Sequence, residues 1–246
     1  ENGVFREKAA LFNRPLDIRL FDADDPRFEN FRPTGKGVGF SEQADYLISA
    51  LECDGLKCAF KLNGEDFEIP YPVGYFAKNA SFAIALGWLK GIPTPGIRES
   101  LGEPVKMPLR LEIEETEDHL LVIDCYNANP VSMQSAIEYW SGLKPEARHV
   151  AILGDMLELG ASAAQYHDMV AAMLIEKGCD LLFSVGEHAI RYHGRDTMIP
   201  QNHFATVGDL IASGALKNIE KGSVVLIKGS HGIHLEKVLP HLRKGN

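Results

Sequence analysis

The chain has no apolar run approaching the roughly 20 residues that span a bilayer, so no transmembrane helix is expected. It has no excess of positive charge either: 25 Lys and Arg stand against 34 Asp and Glu, a net charge of −9. That balance excludes a general phosphate-backbone binder, and no nucleic-acid partner is expected, although a small local basic pocket is compatible with it. Cysteine is scarce, at positions 53, 58, 125 and 179, with no C-x-x-C pair. Cys58, Cys125 and Cys179 lie within or beside apolar runs, where buried reduced thiols are expected, and the reading is a cytoplasmic protein without disulfides. The nine histidines include no H-x-x-x-H or H-E-x-x-H pair, and no metal site is expected from them. A G-x-S-x-G elbow is absent. So is a G-x-x-x-x-G-K-[ST] phosphate loop: Thr34-Gly35-Lys36-Gly37-Val38-Gly39 lacks its spacing and a following helix, and reads as a flexible turn. The start, Glu1-Asn2-Gly3, shows neither an initiator Met nor a signal peptide and reads as a processed or excised chain.

What is present is ordinary globular material, 45% hydrophobic and 24% charged over 246 residues, enough for one large domain or two modest ones. Residues 1–12 read as the tail of a helix and Asp17–Phe21 as a short strand. The acidic run Asp22-Ala23-Asp24-Asp25-Pro26 reads as a solvated turn in preference to a divalent-ion site. Residues 45–71 read as antiparallel sheet with a hairpin at Asn63-Gly64, a pair that tolerates positive φ. Tyr75–Lys90 reads as a helix with Phe82, Leu86 and Leu89 on one face, and Thr94-Pro95 opens another that ends at Gly102. Pro104 and Pro108 punctuate the chain and place a domain boundary between 1–108 and 109–246.

The second half is organised around Asp124-Cys125-Tyr126-Asn127-Ala128-Asn129-Pro130. An apolar strand, His119–Ile123, drops there into polar residues, and Asn129 and Pro130 suit the N-cap and first position of a helix carrying Met133, Ile137 and Trp140 on one face. Leu109–Ile113 precedes it as a strand, joined by the acidic turn Glu114–Asp118. Further strands at Val150–Leu153, Leu181–Val185, Phe204-Ala205 and Val224–Ile227 alternate with helices, one of them opening at Ser162 with Gln165 placed for a capping box. Strands alternating with helices predict a doubly wound, mostly parallel sheet, whose ligands bind beyond the carboxyl ends of the strands. The polar residues expected there are Asp124, Tyr126 and Asn127, then Asp155 and Glu158, then Lys228, Ser230 and His231. A Lys at a strand end suits a phosphate or carboxylate, and Gly229 would let a ligand approach the backbone. His167, near an apolar helical stripe, reads as a core histidine.

Three of these stretches carry a family resemblance. Asp124-Cys125-Tyr126-Asn127-Ala128-Asn129-Pro130-Val131-Ser132-Met133 resembles the D-x-Y-N-A-N-P-x-S-M signature of the Mur ligases that add D-alanyl-D-alanine to a UDP-N-acetylmuramoyl-tripeptide. Leu153-Gly154-Asp155-Met156-Leu157-Glu158-Leu159-Gly160 is similar to their L-G-D-M-x-E-L-G motif, with His167 at the expected downstream position. Lys228-Gly229-Ser230, with Glu236 eight residues after the lysine, is similar to their K-G-S…E motif. The match is strong over about Leu109–Leu242 and weak over about residues 45–108.

The resemblance implies an amide ligase of peptidoglycan synthesis, using ATP and Mg²⁺ to join UDP-N-acetylmuramoyl-tripeptide and D-alanyl-D-alanine through an acyl phosphate. It implies an α/β fold: a Rossmann-like, doubly wound C-terminal domain over 109–246, preceded over 1–108 by part of a central ATPase domain. The family's G-T-x-G-K-[ST] loop, upstream magnesium ligands and modified lysine have no counterpart in the chain. The implied partners therefore include the missing N-terminal and ATPase segments of a parent chain, and the chain alone is expected not to catalyse ligation. No residue is assigned a catalytic or metal role. By the same resemblance Asn79, the linker residue Arg110, Asp124 and Tyr126 are nucleotide contacts. The family's P-G-x-H-N pattern stands here as Pro72-Val73-Gly74-Tyr75-Phe76, so Phe76 replaces a second adenine-contacting Asn. Lys228, Ser230 and Glu236 are implied to hold the incoming dipeptide, Lys228 by attracting its carboxylate. Asp155 and Glu158 meet its ammonium or order the loop, and Asn127, on the substrate side, contacts it or shapes the loop with Asn129. Two other readings stay open: a folylpolyglutamate- or cyanophycin-type ligase of the same superfamily, and a non-catalytic binding module that keeps the ligase fold.

Overall fold

The computed structural model describes residues 2–103, 108–194 and 198–243. The chain divides into two compact units, Glu1–Val105 and Lys106–Asn246. Pro104 lies outside the described residues, and Pro108 sits in a turn.

The first unit contains α1 (Asn2–Ala9), β1 (Leu20–Asp22), β2 (Lys36–Gly39), β3 (Tyr46–Cys53), β4 (Cys58–Leu62), β5 (Glu65–Ile69), α2 (Gly74–Leu89) and α3 (Thr94–Gly102). Its sheet has the order β1-β2-β3-β4-β5. The first three strands run parallel, and β3, β4 and β5 form an antiparallel meander with its hairpin at Asn63-Gly64.

Three expectations are corrected in this unit and one is refined. The glycine-rich stretch is a strand between β1 and β3. A Cβ on Gly37 would stand 3.0 Å from the Ala23 Cβ and one on Gly39 would stand 2.6 Å from Asp24 Oδ1, so glycine here permits close packing and not flexibility. The acidic turn is ion-paired as well as exposed: Lys78 Nζ reaches Asp22 and Asp24 at 2.6 and 2.9 Å, and the Asp24 carboxylate also accepts from the Phe40 and Ser41 backbone N–H groups. Burial alone would raise the Asp24 pKa, but these donors hold it below the usual carboxylate range. Cys53 and Cys58 are not free thiols. The β3–β4 register sets them opposite each other and they form a disulfide, which the C-x-x-C search misses because four hairpin residues lie between them. Finally, α2 buries Ala77, Ser81, Ile84 and Ala85, while Leu86 and Leu89 are exposed. An almost wholly apolar helix carries little periodic signal, and its small residues define the face that lies close to the sheet.

The second unit contains β6 (Glu112–Glu115), β7 (Leu120–Asp124), α4 (Pro130–Ser141), β8 (His149–Gly154), α5 (Ala163–Glu176), β9 (Leu181–Val185), β10 (Gln201–Phe204), α6 (Val207–Ser213), β11 (Val224–Lys228) and α7 (Leu239–Arg243). The sheet order is β10-β9-β8-β11-β7-β6, parallel throughout except for β6 at one edge. Both β8 and β11 are buried along their whole length, as central parallel strands covered on two faces must be. One face, with Ile123, Ile152, Phe183 and Ile227, packs against Val207 and Leu210 of α6 and Leu235, Val238 and Leu242 near the C-terminus. On α4, Met133, Ile137 and Trp140 are fully buried, and Trp140 Nε1 donates to the Val224 carbonyl at 3.0 Å. Asn129 caps α4 with Ser132 as its reciprocal partner and Pro130 as the first helical residue. The Ser162–Gln165 capping box does not form, because Ser162 ends a 3-10 turn with helical backbone angles. Among the described residues no helix is long and apolar enough to cross a membrane.

Candidate functional site

Three strands whose ends carry the polar motifs are neighbours. Strand β11 is inserted between β7 and β8, and its last residue, Lys228, is in register with Asp124 on one side and Leu153 on the other. Motifs separated by as much as 104 residues therefore meet at one edge of the sheet.

The centre of this edge is buried. Lys228 is fully buried, and its Nζ contacts Asp124 Oδ2 at 2.5 Å, the Asn127 carbonyl at 3.2 Å and the Asp124 carbonyl at 3.4 Å. Burial pulls the Lys228 pKa below the ordinary lysine range, against the opposing pull of Asp124. The Lys228 ammonium thus already meets one carboxylate at the strand end expected to attract one. The Asp124 carboxylate holds Lys228 and accepts from the Leu111 backbone N–H at 3.2 Å.

The second motif is also turned inward. Asp155 is buried and accepts from the Ala189 N–H at 2.6 Å, and its carbonyl accepts from Ser230 N–H. Its carboxylate and its carbonyl both hold backbone N–H groups of neighbouring loops. Ser230 Oγ, also buried, accepts from the Leu157 N–H at 2.9 Å, so its hydroxyl ties the second motif to the third. A Cβ on Gly229 would lie 2.9 Å from the Gly154 Cα, so this glycine serves the approach of two strands and not that of a ligand.

His167 is a fully buried histidine, as expected. Its Nδ1 lies 2.7 Å from the Ala163 carbonyl and its Nε2 3.2 Å from the Met156 N–H, a pattern that fits the neutral ring protonated at Nδ1. Burial holds its pKa below the ordinary histidine value, despite the Ala163 hydrogen bond and nearby Asp155. The unfolded chain therefore binds a proton from about pH 6.5 downward while the folded ring stays neutral, and stability falls as pH drops through that window. His167→Leu should flatten this slope, while leaving the Met156 N–H unpaired at a cost of about 1–3 kcal/mol at pH 7. Denaturation curves at pH 7.5 and 5.5 for both proteins check this.

The exposed residues surround this buried frame. Tyr126 is 46% exposed, with the Arg110 guanidinium 4.2 Å from its ring centroid and the His231 ring stacked at 5.6 Å. Arg110 lies between Leu109 and Leu111, whose φ angles of +63° and +48° are unusual for non-glycine residues. Asn127 is exposed, with its Oδ1 accepting from the Ala128 N–H, and Glu158 is exposed with φ +63°. Glu236 is partly buried, and its Oε1 lies 3.1 Å from His234 Nδ1. Asn79 is exposed on α2 of the first unit. Phe76, in the place of an expected polar adenine contact, is buried, with Tyr71 and Tyr75 stacked at 4.6 and 4.2 Å.

An exposed aromatic ring beside a guanidinium fits a nucleotide, the ring for a base or ribose and Arg110 for a phosphate. The same strand ends do not fit Mg²⁺: Asp124 is neutralised by Lys228 and Asp155 accepts from Ala189, which leaves no cluster of open carboxylate oxygens among these two motifs. His231 and His234 are the residues underweighted by sequence reading. Their signal was an H-x-x-H-x-E spacing directly after the third motif.

The fold and this edge define a Mur ligase C-terminal domain, and the chain belongs to that family: the model of the Mur ligase glutamate ligase domain matches residues 109–231. The chain is 28% identical over 253 residues to the UDP-N-acetylmuramoyl-tripeptide–D-alanyl-D-alanine ligase of Bacillus subtilis (strain 168), covering 98% of this chain and 54% of the relative. It is 32% identical over 182 residues to the ligase of the same name from Escherichia coli (strain K12), covering 73% and 39%. Among solved structures, MurF from Acinetobacter baumannii shares the fold with a TM-score of 0.79 at 22% identity, over 99% of this chain and 56% of that one. The MurF ligase from Thermotoga maritima in complex with ADP does so at 0.72 and 22% identity, over 92% and 53%. The chain spans about half the length of the curated relatives it matches in full.

Proposed function

We propose that this chain carries the C-terminal domain (109–246) and part of the central domain (1–108) of an ATP-dependent ligase that adds D-alanyl-D-alanine to UDP-N-acetylmuramoyl-tripeptide in peptidoglycan synthesis, a cytoplasmic reaction. The observation that carries this reading is the convergence of the three motifs, with Lys228 of β11 in register with Asp124 of β7 and with β8. The names of the B. subtilis and E. coli relatives support the substrate pair. In the reaction the tripeptide carboxylate takes the terminal phosphoryl group of ATP, giving an acyl phosphate and ADP. The dipeptide amine then attacks the acyl carbon, phosphate leaves, and the amine proton passes to solvent.

The roles of the residues follow from their exposure. Arg110 and Tyr126 contact the nucleotide, and Asn79 is a nucleotide contact by the family resemblance alone. Glu158, Glu236 and the loop at Asn127 face the incoming dipeptide. Asp124, Lys228, Asp155 and Ser230 are positioning residues that keep the three loops in one arrangement. Phosphoryl transfer needs phosphate-positioning groups, and the 246 residues contain no phosphate loop to supply them.

One observation favours a second reading as a non-catalytic module, the burial of Phe76 where an adenine contact was expected. A chimera separates the readings. The part of the B. subtilis relative that the chain does not cover is joined to it, and products are followed by mass. UDP-N-acetylmuramoyl-pentapeptide, formed with equal ADP and phosphate by the chimera and not by the chain alone, is the expected result. Transfer to L-glutamate in place of the dipeptide marks a folylpolyglutamate-type ligase. A folded chimera that transfers neither marks the binding module, and ligation by the chain alone overturns the dependence on a separate phosphate loop.

A further inference from the structure

We propose that His231, His234 and Glu236 form a binding site for a divalent transition-metal ion, of the two-histidine, one-carboxylate kind that takes Zn²⁺. One ligand atom from each side chain lies within 4.8 Å of the others. The backbone brings them together. After Ser230 the chain makes one short 3-10 turn, His231–Ile233, and then His234 takes the left-handed conformation, φ +62° and ψ 41°. That conformation costs energy for a residue with a Cβ, and here it sets the two imidazole rings 5.7 Å apart, edge to face. His234 Nδ1 then meets Glu236 Oε1 at 3.1 Å.

The second carboxylate oxygen supplies an independent observation. Among the described residues Glu236 Oε2 is buried and has no hydrogen-bond partner. A buried acceptor without a donor is unfavourable, and a cation bound by the Glu236 carboxylate would offset its charge. Closing the three atoms onto a tetrahedral ion at about 2.0–2.1 Å requires them to move together by roughly an ångström. Rotation of the two exposed histidines provides that movement. The Tyr126 ring stacks on His231 with an interplanar angle of 26°. Imidazole and carboxylate together select Zn²⁺, Co²⁺ or Ni²⁺ over Mg²⁺, which prefers oxygen alone. Three protein ligands leave a fourth position for water or a ligand donor. The site lies immediately after Lys228-Gly229-Ser230 and shares Glu236 with the face proposed for the dipeptide, and metal binding by the chain is tested without ligation.

The test is titration of the chelator-treated, full 246-residue chain with Zn²⁺ against a chromophoric chelator, and with Co²⁺ followed by its visible absorption. One equivalent is expected to bind, unaffected by millimolar Mg²⁺. His231→Gln and His234→Gln should each weaken binding by at least about tenfold, while His241→Gln leaves it unchanged. Ring nitrogen NMR signals provide a readout in the unsubstituted protein: Zn²⁺ should shift those of His231 and His234 and not that of His241. Absence of stoichiometric binding, equal affinity in the His231→Gln/His234→Gln double variant, or ring shifts confined to other histidines overturns the proposal.

Discussion

Lys228→Met is expected to destabilise the second unit by about 3–5 kcal/mol. The side chain is fully buried, and Asp124, its partner at 2.5 Å, is itself 5% exposed. Removing the ammonium leaves a carboxylate in the interior with, among the described residues, the Leu111 N–H at 3.2 Å to compensate it. The Asn127 carbonyl loses its donor as well, so the loop that carries Tyr126 loosens together with the strand end. One comparison separates this account from a simple loss of packing. Asp124→Asn combined with Lys228→Met should recover most of the loss, because a neutral amide is far less costly to bury than an unpaired carboxylate. Chemical denaturation of the unsubstituted chain and both variants at pH 7 measures it. A double variant no more stable than Lys228→Met would sink the buried-pair account.

Trp140→Ala is expected to cost a similar amount, about 3–5 kcal/mol, for a different reason. Trp140 is fully buried, its indole donates to the Val224 carbonyl at 3.0 Å and it meets His149 edge to face at 5.1 Å. Truncation leaves a large cavity under α4 and removes the indole's hydrogen bond to the Val224 carbonyl at the start of β11. The consequence reaches the site because α4 begins at Pro130, where the Asp124–Asn129 loop ends. Trp140→Phe, which keeps most of the volume and loses only the hydrogen bond, should cost considerably less. Comparing the two variants by far-UV circular dichroism melts tests the division, and equal losses would contradict it.

Helix α4 shows what local pattern can reach. Its Met133, Ile137 and Trp140 face, its Asn129 cap and its Pro130 start are all consequences of residues a few positions apart, and all stand as read. The strands β7, β8, β9 and β11 are legible for the same reason, since central parallel strands read as continuous apolar runs, whereas the edge strands β6 (Glu112–Glu115) and β10 (Gln201–Phe204) are shifted from the expected Leu109–Ile113 and Phe204-Ala205. Helix α2 and the Ser162 region mark the limit. In α2 nearly every position is apolar, so periodicity does not choose a face. At Ser162 a preceding 3-10 turn removes the extended backbone that a cap requires.

The sequence by itself determined the order of strands and helices in the second unit, the polar loops at the strand ends and the three motifs that mark the family. All of these depend on side-chain type and near-neighbour spacing. Only the tertiary structure decided which motif residues are buried and which are exposed. Inserting β11 between β7 and β8 joins Lys228 to Asp124 across 104 residues and turns both inward, leaving Arg110 and Tyr126 exposed beside each other. Strand register likewise pairs Cys53 with Cys58, and one left-handed residue gathers His231, His234 and Glu236. Burial and pairing are properties of surfaces brought together from distant parts of the chain, so they follow from register and packing and are not written in any single stretch.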